Sequence, residues 1–349
     1  MAGSRLAGRR RFSAMSNLVI SRVCNMNCPF CFAAGLMQSG RQSDDQRFIS
    51  RADFSARLGY LKRSGINSVR MIGGEPTLHP QIRELIEEAR RAGMQVMIFT
   101  HGFLKESLLA YLEGLPEKDC TLLVNMNAGG GDVSRSEELD AARNRTLKRL
   151  GHLAAVSFNI HTPNFDLLPI MESIIKAGSR RIIRLGLAHP SLAGGNIHLH
   201  PKRYPHVAGR IAGFAKTAGA HGIRFEFDCG FVRCMFSEEE LGALRQAGSE
   251  VNYQCSPILD VDLNGAACHC FPLADRFSVQ MKAGSSASEL RDRLVEQTRH
   301  ARAAGVYPTC SSCGFKARRE CTGGCLAAAM RRFRPADIHN LQFVPVSNS

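Results

Sequence analysis

The sequence contains no tryptophan and only five tyrosines among its 349 residues. No apolar run approaches the roughly 18 residues that a membrane-spanning helix needs, so we expect no membrane association. The basic start of the chain is not followed by the hydrophobic segment of a signal peptide, and we interpret residues 1–16 as a basic tail. RNA-recognition, helix-turn-helix and zinc-finger signatures are missing as well, which disfavours nucleic acid as a partner.

Acidic residues are also in short supply. The chain has 31 Asp and Glu against 45 Lys and Arg, which gives a formal net charge of +14. Two interpretations stay open: a solvated basic surface, or a site for an anionic partner such as a nucleotide, a phosphorylated molecule or an acidic peptide.

Cysteine, by contrast, is abundant. The chain has thirteen cysteines and no secretory signal, and thiols stay reduced in the cytosol, so metal binding or catalysis is favoured over disulfides. Three of them lie within residues 24–31, and seven lie within residues 255–325. This clustering predicts two separate cysteine sites.

A repeated unit occupies residues 17–230. It consists of an amphipathic helix, a glycine and a β-branched strand, and Gly65, Gly93 and Gly178 each close one of these helices, as glycine commonly does. Alternating helices and strands predict a parallel sheet covered by helices. Six or seven such units indicate an α/β fold of the partial (β/α)6-type TIM-like barrel class, in which chemistry takes place at the carboxyl ends of the strands.

The repeat breaks down after Gly230, and we predict a small, cysteine-rich C-terminal domain over residues 231–349. A helix is expected within residues 286–305. Residues 260–271 are typical of a hairpin, because Asn264 followed by Gly265 favours a type I′ turn.

The first cysteine cluster follows the first predicted strand. Cys24, Cys28 and Cys31 are separated by three and two residues. Three thiolates can hold three irons of a [4Fe–4S] cube and leave the fourth iron open, and an open position is the mark of a catalytic metal centre. At this spacing alone, a zinc site and a coincidence of buried thiols remain alternatives.

With Phe30 before its last cysteine, this array resembles the signature of the radical S-adenosylmethionine (SAM) enzymes. In that family SAM chelates the open iron, and one electron from the cluster cleaves SAM to methionine and a 5′-deoxyadenosyl radical. A second motif, Gly73, Gly74, Glu75 and Pro76 at the end of the second predicted strand, resembles the family motif that receives the SAM amino group. Glycine permits close approach of backbone to a ligand, and Glu75 offers an acceptor for a cationic amine.

The resemblance implies further SAM contacts. Asn125, at the end of the fourth predicted strand, matches by position a residue that binds the ribose, and Asn127 lies nearby. Arg143 and Arg145 are candidates for the SAM carboxylate or are solvated helix charges. His161 ends the fifth predicted strand and is either a substrate contact or a satisfied core residue.

The tail resembles the SPASM extension of radical SAM enzymes, or its shorter twitch form, which binds one or two auxiliary [4Fe–4S] clusters. It departs from that pattern in a longer middle spacer and in lacking the final cysteine. Structural zinc is the competing interpretation. The candidate ligands are Cys255, Cys268, Cys270, Cys310, Cys313, Cys321 and Cys325.

Two more cysteines have open roles. The six cysteines that match the SPASM pattern are enough for one cluster with four cysteine ligands, and two cysteines are left over. Cys268 would be a seventh ligand, which allows a second cluster with an open iron. Cys229 or Cys234 is a candidate for an eighth ligand. Some epimerases of the family use a cysteine to return a hydrogen atom to the substrate radical, so Cys229 and Cys234 are also candidate hydrogen donors. Each of them is alternatively a small buried hydrophobe, which is the role we expect for Cys120.

The resemblance implies an enzyme that cleaves SAM reductively and abstracts hydrogen from a substrate carbon. We expect a small-molecule or peptide substrate, anionic if the net charge serves binding, in natural-product or ribosomal peptide maturation by epimerisation, oxidation or crosslinking. A flavodoxin- or ferredoxin-type electron donor and a reducing cytoplasm follow from oxygen-sensitive clusters. The alternatives are a non-catalytic iron–sulfur or zinc interaction protein and an RNA-modifying radical SAM enzyme.

Overall fold

A computed structural model describes most of the chain. The described residues are 15–34, 47–127, 133–192, 194–255, 258–282 and 284–333. The predicted basic tail lies outside them except for its last two residues, which begin the first strand.

The barrel is built from seven parallel strands in chain order. Each strand pairs in parallel with the next one, which confirms the predicted partial barrel. The strands are β1 (Met15–Ser21), β2 (Ser68–Gly73), β3 (Gln95–Thr100), β4 (Cys120–Asn125), β5 (Ala154–Ile160), β6 (Ile182–Leu187) and β7 (Arg224–Phe227).

Among the described residues, seven helices alternate with these strands. Gly65, Gly93 and Gly178 have φ values of +75°, +73° and +65° just beyond three of the helices, the left-handed conformation expected there. In the described segments, no helix is long and apolar enough to cross a membrane. The helices are α1 (Arg51–Arg63), α2 (Ile82–Arg91), α3 (Glu106–Glu113), α4 (Val133–Leu150), α5 (Leu168–Ala177), α6 (Tyr204–Ala220) and α7 (Glu238–Gln246).

The cysteine-rich segment continues the same sheet beyond β1. Strand β8 (Asp260–Val261) pairs in parallel with β1, and β9 (Ala266–Cys268) and β10 (Ser278–Gln280) extend the sheet in antiparallel fashion. The strand order is therefore β10-β9-β8-β1-β2-β3-β4-β5-β6-β7. Nδ2 of Asn17 donates to Oδ1 of Asp260 over 2.6 Å across the β1–β8 junction. Where one domain ends and the next begins stays a prediction.

The predicted hairpin is present as β8 and β9, but its predicted turn type is wrong. Gly265 has φ +79°, whereas Asn264 keeps a negative φ, and a type I′ turn needs positive φ at both central residues. The physical reason is Asp262, whose Oδ1 accepts hydrogen bonds from the backbone N–H groups of Asn264 and Ala266, both over 2.8 Å. This side-chain turn replaces the expected backbone geometry.

The long helix predicted over residues 286–305 is two helices, α8 (Ala287–Gln297) and α9 (Arg299–Ala304). Ser286 and Glu289 form a capping box at the start of α8. The break falls at Thr298, whose hydroxyl donates to the carbonyl of Leu294 over 2.9 Å. Two short helices follow, α10 (Gly314–Ala317) and α11 (Leu326–Met330), and 3-10 turns lie at Pro76–Leu78, Pro201–Arg203, Arg233–Met235, Phe271–Leu273 and Pro308–Ser312.

Two glycines allow a matched test of the backbone assignments. Gly178→Ala places a side chain in a left-handed conformation, which we expect to destabilise the fold by about 1 kcal/mol. Gly213→Ala, on the exposed face of α6 with open space around it, is expected to stabilise by about 0.5–1 kcal/mol. Denaturant unfolding gives the change in the free energy of unfolding of each variant. A change of the same sign in both variants contradicts the backbone conformations assigned to the two glycines.

Candidate active site and cysteine clusters

The loop after β1 carries the first three cysteines. The N–H of Cys31 donates to the carbonyl of Cys28 over 3.0 Å, and the N–H of Met26 lies 3.4 Å from Sγ of Cys24. Burial raises the pKa of the Cys24 thiol to about 11, and the charges of Glu75, Cys28 and Cys31 act in the same direction. The three thiols therefore lie in one neighbourhood, and the donor set fits a cluster with one open iron.

The two glycines at the carboxyl end of β2, Gly73 and Gly74, hold this loop in place. The N–H of Gly74 donates to the carbonyl of Ser21 over 2.8 Å, and the N–H of Glu75 donates to the carbonyl of Val23 over 2.7 Å. A Cβ on Gly73 would lie 2.0 Å from the Ser21 oxygen, and one on Gly74 would lie 2.3 Å from the Val23 oxygen. We expected these glycines to allow the backbone to approach a ligand closely. In the structure they allow the end of β2 to lie in direct contact with the backbone at the end of β1.

Glu75 is 1% exposed and connects the ends of β2 and β3. Its Oε1 accepts hydrogen bonds from the N–H of Thr77 over 3.1 Å and from the Thr77 hydroxyl over 2.6 Å, just after Pro76 begins a 3-10 turn. Its Oε2 accepts from the N–H of His101 over 2.9 Å. Three of about four acceptor positions are therefore used within the protein, and acceptance of the SAM amine stays a prediction.

His101, directly after β3, was missed at the level of sequence. Its Nδ1 accepts from the N–H of Phe103 over 3.0 Å, so the proton is on Nε2, which donates to Oδ1 of Asn25 over 2.7 Å. Burial lowers the pKa of His101 and keeps the ring neutral. His101 thus joins Glu75 to the cysteine loop through Asn25. Its position at the carboxyl end of a barrel strand is the signal that would have identified it.

The structure separates the two candidate arginines of α4. Arg143 is 2% exposed; its Nε donates to the carbonyl of His101 over 3.1 Å and its Nη2 to that of Asn127 over 2.6 Å. Its charge lowers the pKa of Cys28, which burial raises. Arg145 is exposed. Arg143 is therefore the arginine that lies against the cysteine loop, where it connects the ends of β3 and β4.

The two asparagines at the carboxyl end of β4 also differ in burial. Asn127 is buried and connects β4 to β5: its Nδ2 donates to the carbonyl of Asn159 over 2.9 Å, and its Oδ1 accepts from the Asn159 N–H over 2.7 Å. Asn125 is half-buried and bonds to Asn127. Asn125 is thus the better placed of the two for an external ligand.

Phe30 is buried and packs inside the barrel mouth. Its ring stacks on His161 with centroids 4.8 Å apart, and its carbonyl accepts from Nδ2 of Asn196 over 3.2 Å. The stacking of Phe30 on His161 places the cysteine loop against the carboxyl end of β5.

The remaining cysteines occupy distinct places. Cys120 is fully buried in β4 and burial raises the pKa of its thiol to about 12, as expected for a structural residue. Cys268 lies in β9; burial raises its pKa, and the charged neighbours that add to the effect are Asp260, Asp262 and Asp275. Across the described ranges, no three Cys, His, Asp or Glu side chains are arranged to hold a single metal ion.

Known proteins resemble part of this chain in sequence. The sequence model of the Radical SAM superfamily matches residues 18–185. A probable GTP 3′,8-cyclase of Saccharolobus islandicus is 33% identical over 92 residues, which is 26% of this chain and 28% of that protein. An S-adenosylmethionine-dependent nucleotide dehydratase of Flammeovirga pacifica is 36% identical over 85 residues, 23% of this chain and 27% of that protein. The chain thus matches under a third of the length of these relatives.

Solved structures resemble nearly the whole chain in fold. Streptococcus suis SuiB bound to S-adenosylmethionine gives a TM-score of 0.66 at 16% identity, covering 90% of this chain and 73% of SuiB. Native anSMEcpe with bound AdoMet and Kp18Cys peptide gives 0.61 at 16% identity, covering 89% of each chain. At this identity the likeness concerns the fold, a partial barrel continued by a cysteine-rich C-terminal segment.

The contact between Gly74 and Val23 yields a test. Gly74→Ala forces the loop away from β2, so we expect reconstituted protein to hold about four irons per chain fewer than the unsubstituted protein. Gly93→Ala is the control, since Gly93 also has positive φ but has nothing within 4 Å of an added Cβ. Iron and sulfide assays measure the difference. Full iron content in Gly74→Ala contradicts the proposed dependence of the loop on this contact.

Proposed function

This chain is a member of the radical SAM superfamily through residues 18–185, and on that premise we propose that it is an enzyme of SPASM or twitch type acting on a peptide or small-molecule substrate. A bound [4Fe–4S] cluster with SAM supplies, on one-electron reduction, methionine and a 5′-deoxyadenosyl radical that takes a hydrogen atom from a substrate carbon. The observation that carries the proposal is the three-cysteine loop hydrogen-bonded directly to the Gly74–Glu75 backbone.

The residues of the chain have separate tasks in this proposal. Cys24, Cys28 and Cys31 hold the cluster and leave one iron for SAM. The internal bonds of Glu75 and His101 fix the loop before any ligand arrives, so the ligand meets a preformed site. We propose that SAM is bound by the segment around Phe30, by Gly73, Gly74, Glu75 and Pro76, and by Asn125 and Asn127.

Two of the similar solved structures contain a peptide, which bears on the substrate class. A structure similar over 89% of this chain contains a peptide together with AdoMet, and SuiB has been solved with its precursor peptide SuiA. These similarities include the C-terminal segment, which favours a peptide or natural-product substrate modified by epimerisation, oxidation or crosslinking. A nucleotide is the second candidate, because the cyclase and dehydratase names and the net charge of +14 agree with an anionic ligand.

The proposed reaction needs a source of electrons and a reducing environment. An open-site cluster needs an external one-electron donor of flavodoxin or ferredoxin type and a reducing compartment such as the cytoplasm. The tail is proposed to bind auxiliary [4Fe–4S] clusters. A non-catalytic iron–sulfur or zinc protein would need neither SAM nor an electron donor.

The first test is reductive cleavage of SAM. Anaerobically reconstituted protein with SAM and dithionite is expected to form 5′-deoxyadenosine, measured by liquid chromatography. Replacement of Cys24, Cys28 and Cys31 by Ala removes the proposed cluster and should abolish the product. Reconstituted protein that binds iron but forms no 5′-deoxyadenosine would support the interaction-protein alternative instead.

A second test separates the substrate classes. Uniformly deuterated GTP is added to the same reaction, and deuterium in 5′-deoxyadenosine is measured by mass spectrometry. Because hydrogen abstraction moves a substrate hydrogen into this product, enrichment with GTP selects the nucleotide candidate. We expect no enrichment with GTP, and enrichment with a deuterated peptide substrate.

A further inference from the structure

The loop between β7 and α7 carries two cysteines that lie outside the SPASM-like spacing, Cys229 and Cys234. Phe231 and Val232 between them are buried and anchor the loop, whereas both cysteines are exposed at the surface. A Cβ on Gly324 would lie 2.9 Å from Cγ1 of Val232. The loop therefore packs directly on the segment that holds the last motif cysteines.

Two motif cysteines meet at the start of α11. The N–H of Cys255 donates to Oγ1 of Thr322 over 2.7 Å, and the N–H of Thr322 donates to the carbonyl of Tyr253 over 3.0 Å. These bonds hold Cys255 against the segment that leads into Cys325. Burial raises the pKa of each thiol to about 11, and for Cys255 the charge of Cys325 adds to the effect.

Cys270 and Cys229 belong to the same neighbourhood. Burial raises the pKa of Cys270 well above its usual value, and three nearby thiols add to it: Cys325, Cys255 and Cys229. The surrounding protein raises the pKa of Cys229 to about 11 although its side chain reaches solvent, and the charge of Cys255 adds to the effect. Because Coulomb interactions weaken with distance, thiols that act on one another in this way lie close together. We name Cys229, Cys255, Cys270 and Cys325 the first cysteine set.

A buried hydroxyl lies beside this first cysteine set. Tyr204 is 0% exposed, and its hydroxyl has no hydrogen-bond partner among the described residues. Burial raises the pKa of Tyr204, and Cys325 and Cys229 are among the charges that add to it. A buried donor without an acceptor is rare and costly. An electron-rich sulfur group bound between these cysteines would supply the acceptor.

The second neighbourhood forms around Cys234. The surrounding protein raises the pKa of the Cys234 thiol although its side chain reaches solvent, and the charges that add to the effect are those of Cys310, Cys321 and Cys313. The guanidinium of Arg233 lies 5.0 Å from the ring centroid of Phe315, which holds the Cys234 turn against the segment that carries the other three thiols. We name Cys234, Cys310, Cys313 and Cys321 the second cysteine set.

We propose that the C-terminal segment binds two auxiliary iron–sulfur clusters, with the loop after β7 supplying the fourth ligand of each. Cys229 completes the first cysteine set and Cys234 completes the second. This inference rests on the proposed function, and it assigns the two loop cysteines to metal binding instead of hydrogen donation. Four thiolates per cluster leave no open iron, so both clusters would serve structure and electron transfer, not direct chelation of substrate. Cys268 belongs to neither set.

Iron counting tests the assignment without enzyme activity. In a background with Cys24, Cys28 and Cys31 replaced by Ala, anaerobic reconstitution should give about eight irons per chain. Adding Cys229→Ala or Cys234→Ala leaves three thiolates on one cluster, so each should lower the iron content below about eight and change the electron paramagnetic resonance spectrum of the reduced protein. Adding both should change both clusters. Cys268→Ala and Cys120→Ala are the matched controls and should keep about eight.

The outcomes of iron counting separate two claims: that Cys229 and Cys234 are ligands, and that auxiliary clusters are present at all. Full iron content in the Cys229→Ala and Cys234→Ala variants, together with an unchanged electron paramagnetic resonance spectrum, overturns the ligand assignment but leaves auxiliary clusters in place. Loss of a cluster in Cys268→Ala overturns the two sets. Iron near zero in the background itself, with zinc bound, removes the auxiliary clusters altogether, while the SAM cleavage test remains independent of this result.

A second measurement on the unsubstituted protein guards against variants that fail to fold. Cys229 and Cys234 are exposed, so iodoacetamide should alkylate both in cluster-free protein, as detected by peptide mass spectrometry. Reconstitution should protect both thiols, and removal of iron with a chelator should restore their reactivity. Equal alkylation before and after reconstitution overturns the assignment, since a free hydrogen-donor thiol would stay reactive.

Discussion

The site depends on one close contact between two stretches of backbone. The turn after β2 lies so near the end of β1 that a methyl group at Gly73 or Gly74 would overlap a carbonyl oxygen of Ser21 or Val23. Two backbone hydrogen bonds close the contact. Because the cysteine loop leaves β1 directly beyond it, the path of this loop is set by strand pairing at its base.

From that contact, polar side chains connect the barrel strands one after another. Glu75 links β2 to β3, Arg143 links β3 to β4, and Asn127 links β4 to β5. His101 adds a branch back to the cysteine loop through Asn25. These groups are buried and mutually bonded, so the carboxyl edge of the sheet is organised by the protein itself, and binding a ligand there does not require ordering the edge first.

Local signals in the sequence were sufficient to predict the barrel. Gly65 and Gly178 end helices where the periodic apolar stripes end, because both features depend on neighbours in the chain. The turn at Asn264 was misjudged because the Asp262 carboxylate competes for its backbone N–H groups. The bonds of Glu75 to His101 and the grouping of the tail cysteines were not predictable, since they join residues far apart in sequence.

The pairing of β8 with β1 has a consequence for electron flow. The strand that ends in the first cysteine loop lies beside the strand that leads to the tail cysteines, and Asp260 bonds both to Asn17 and to the N–H of Phe271, next to Cys270. Neighbouring strands are spaced at about 4.8 Å by their hydrogen bonds. The separation between the two proposed cluster regions is therefore set by one continuous sheet, and electron tunnelling between the proposed clusters would not depend on the motion of a flexible linker.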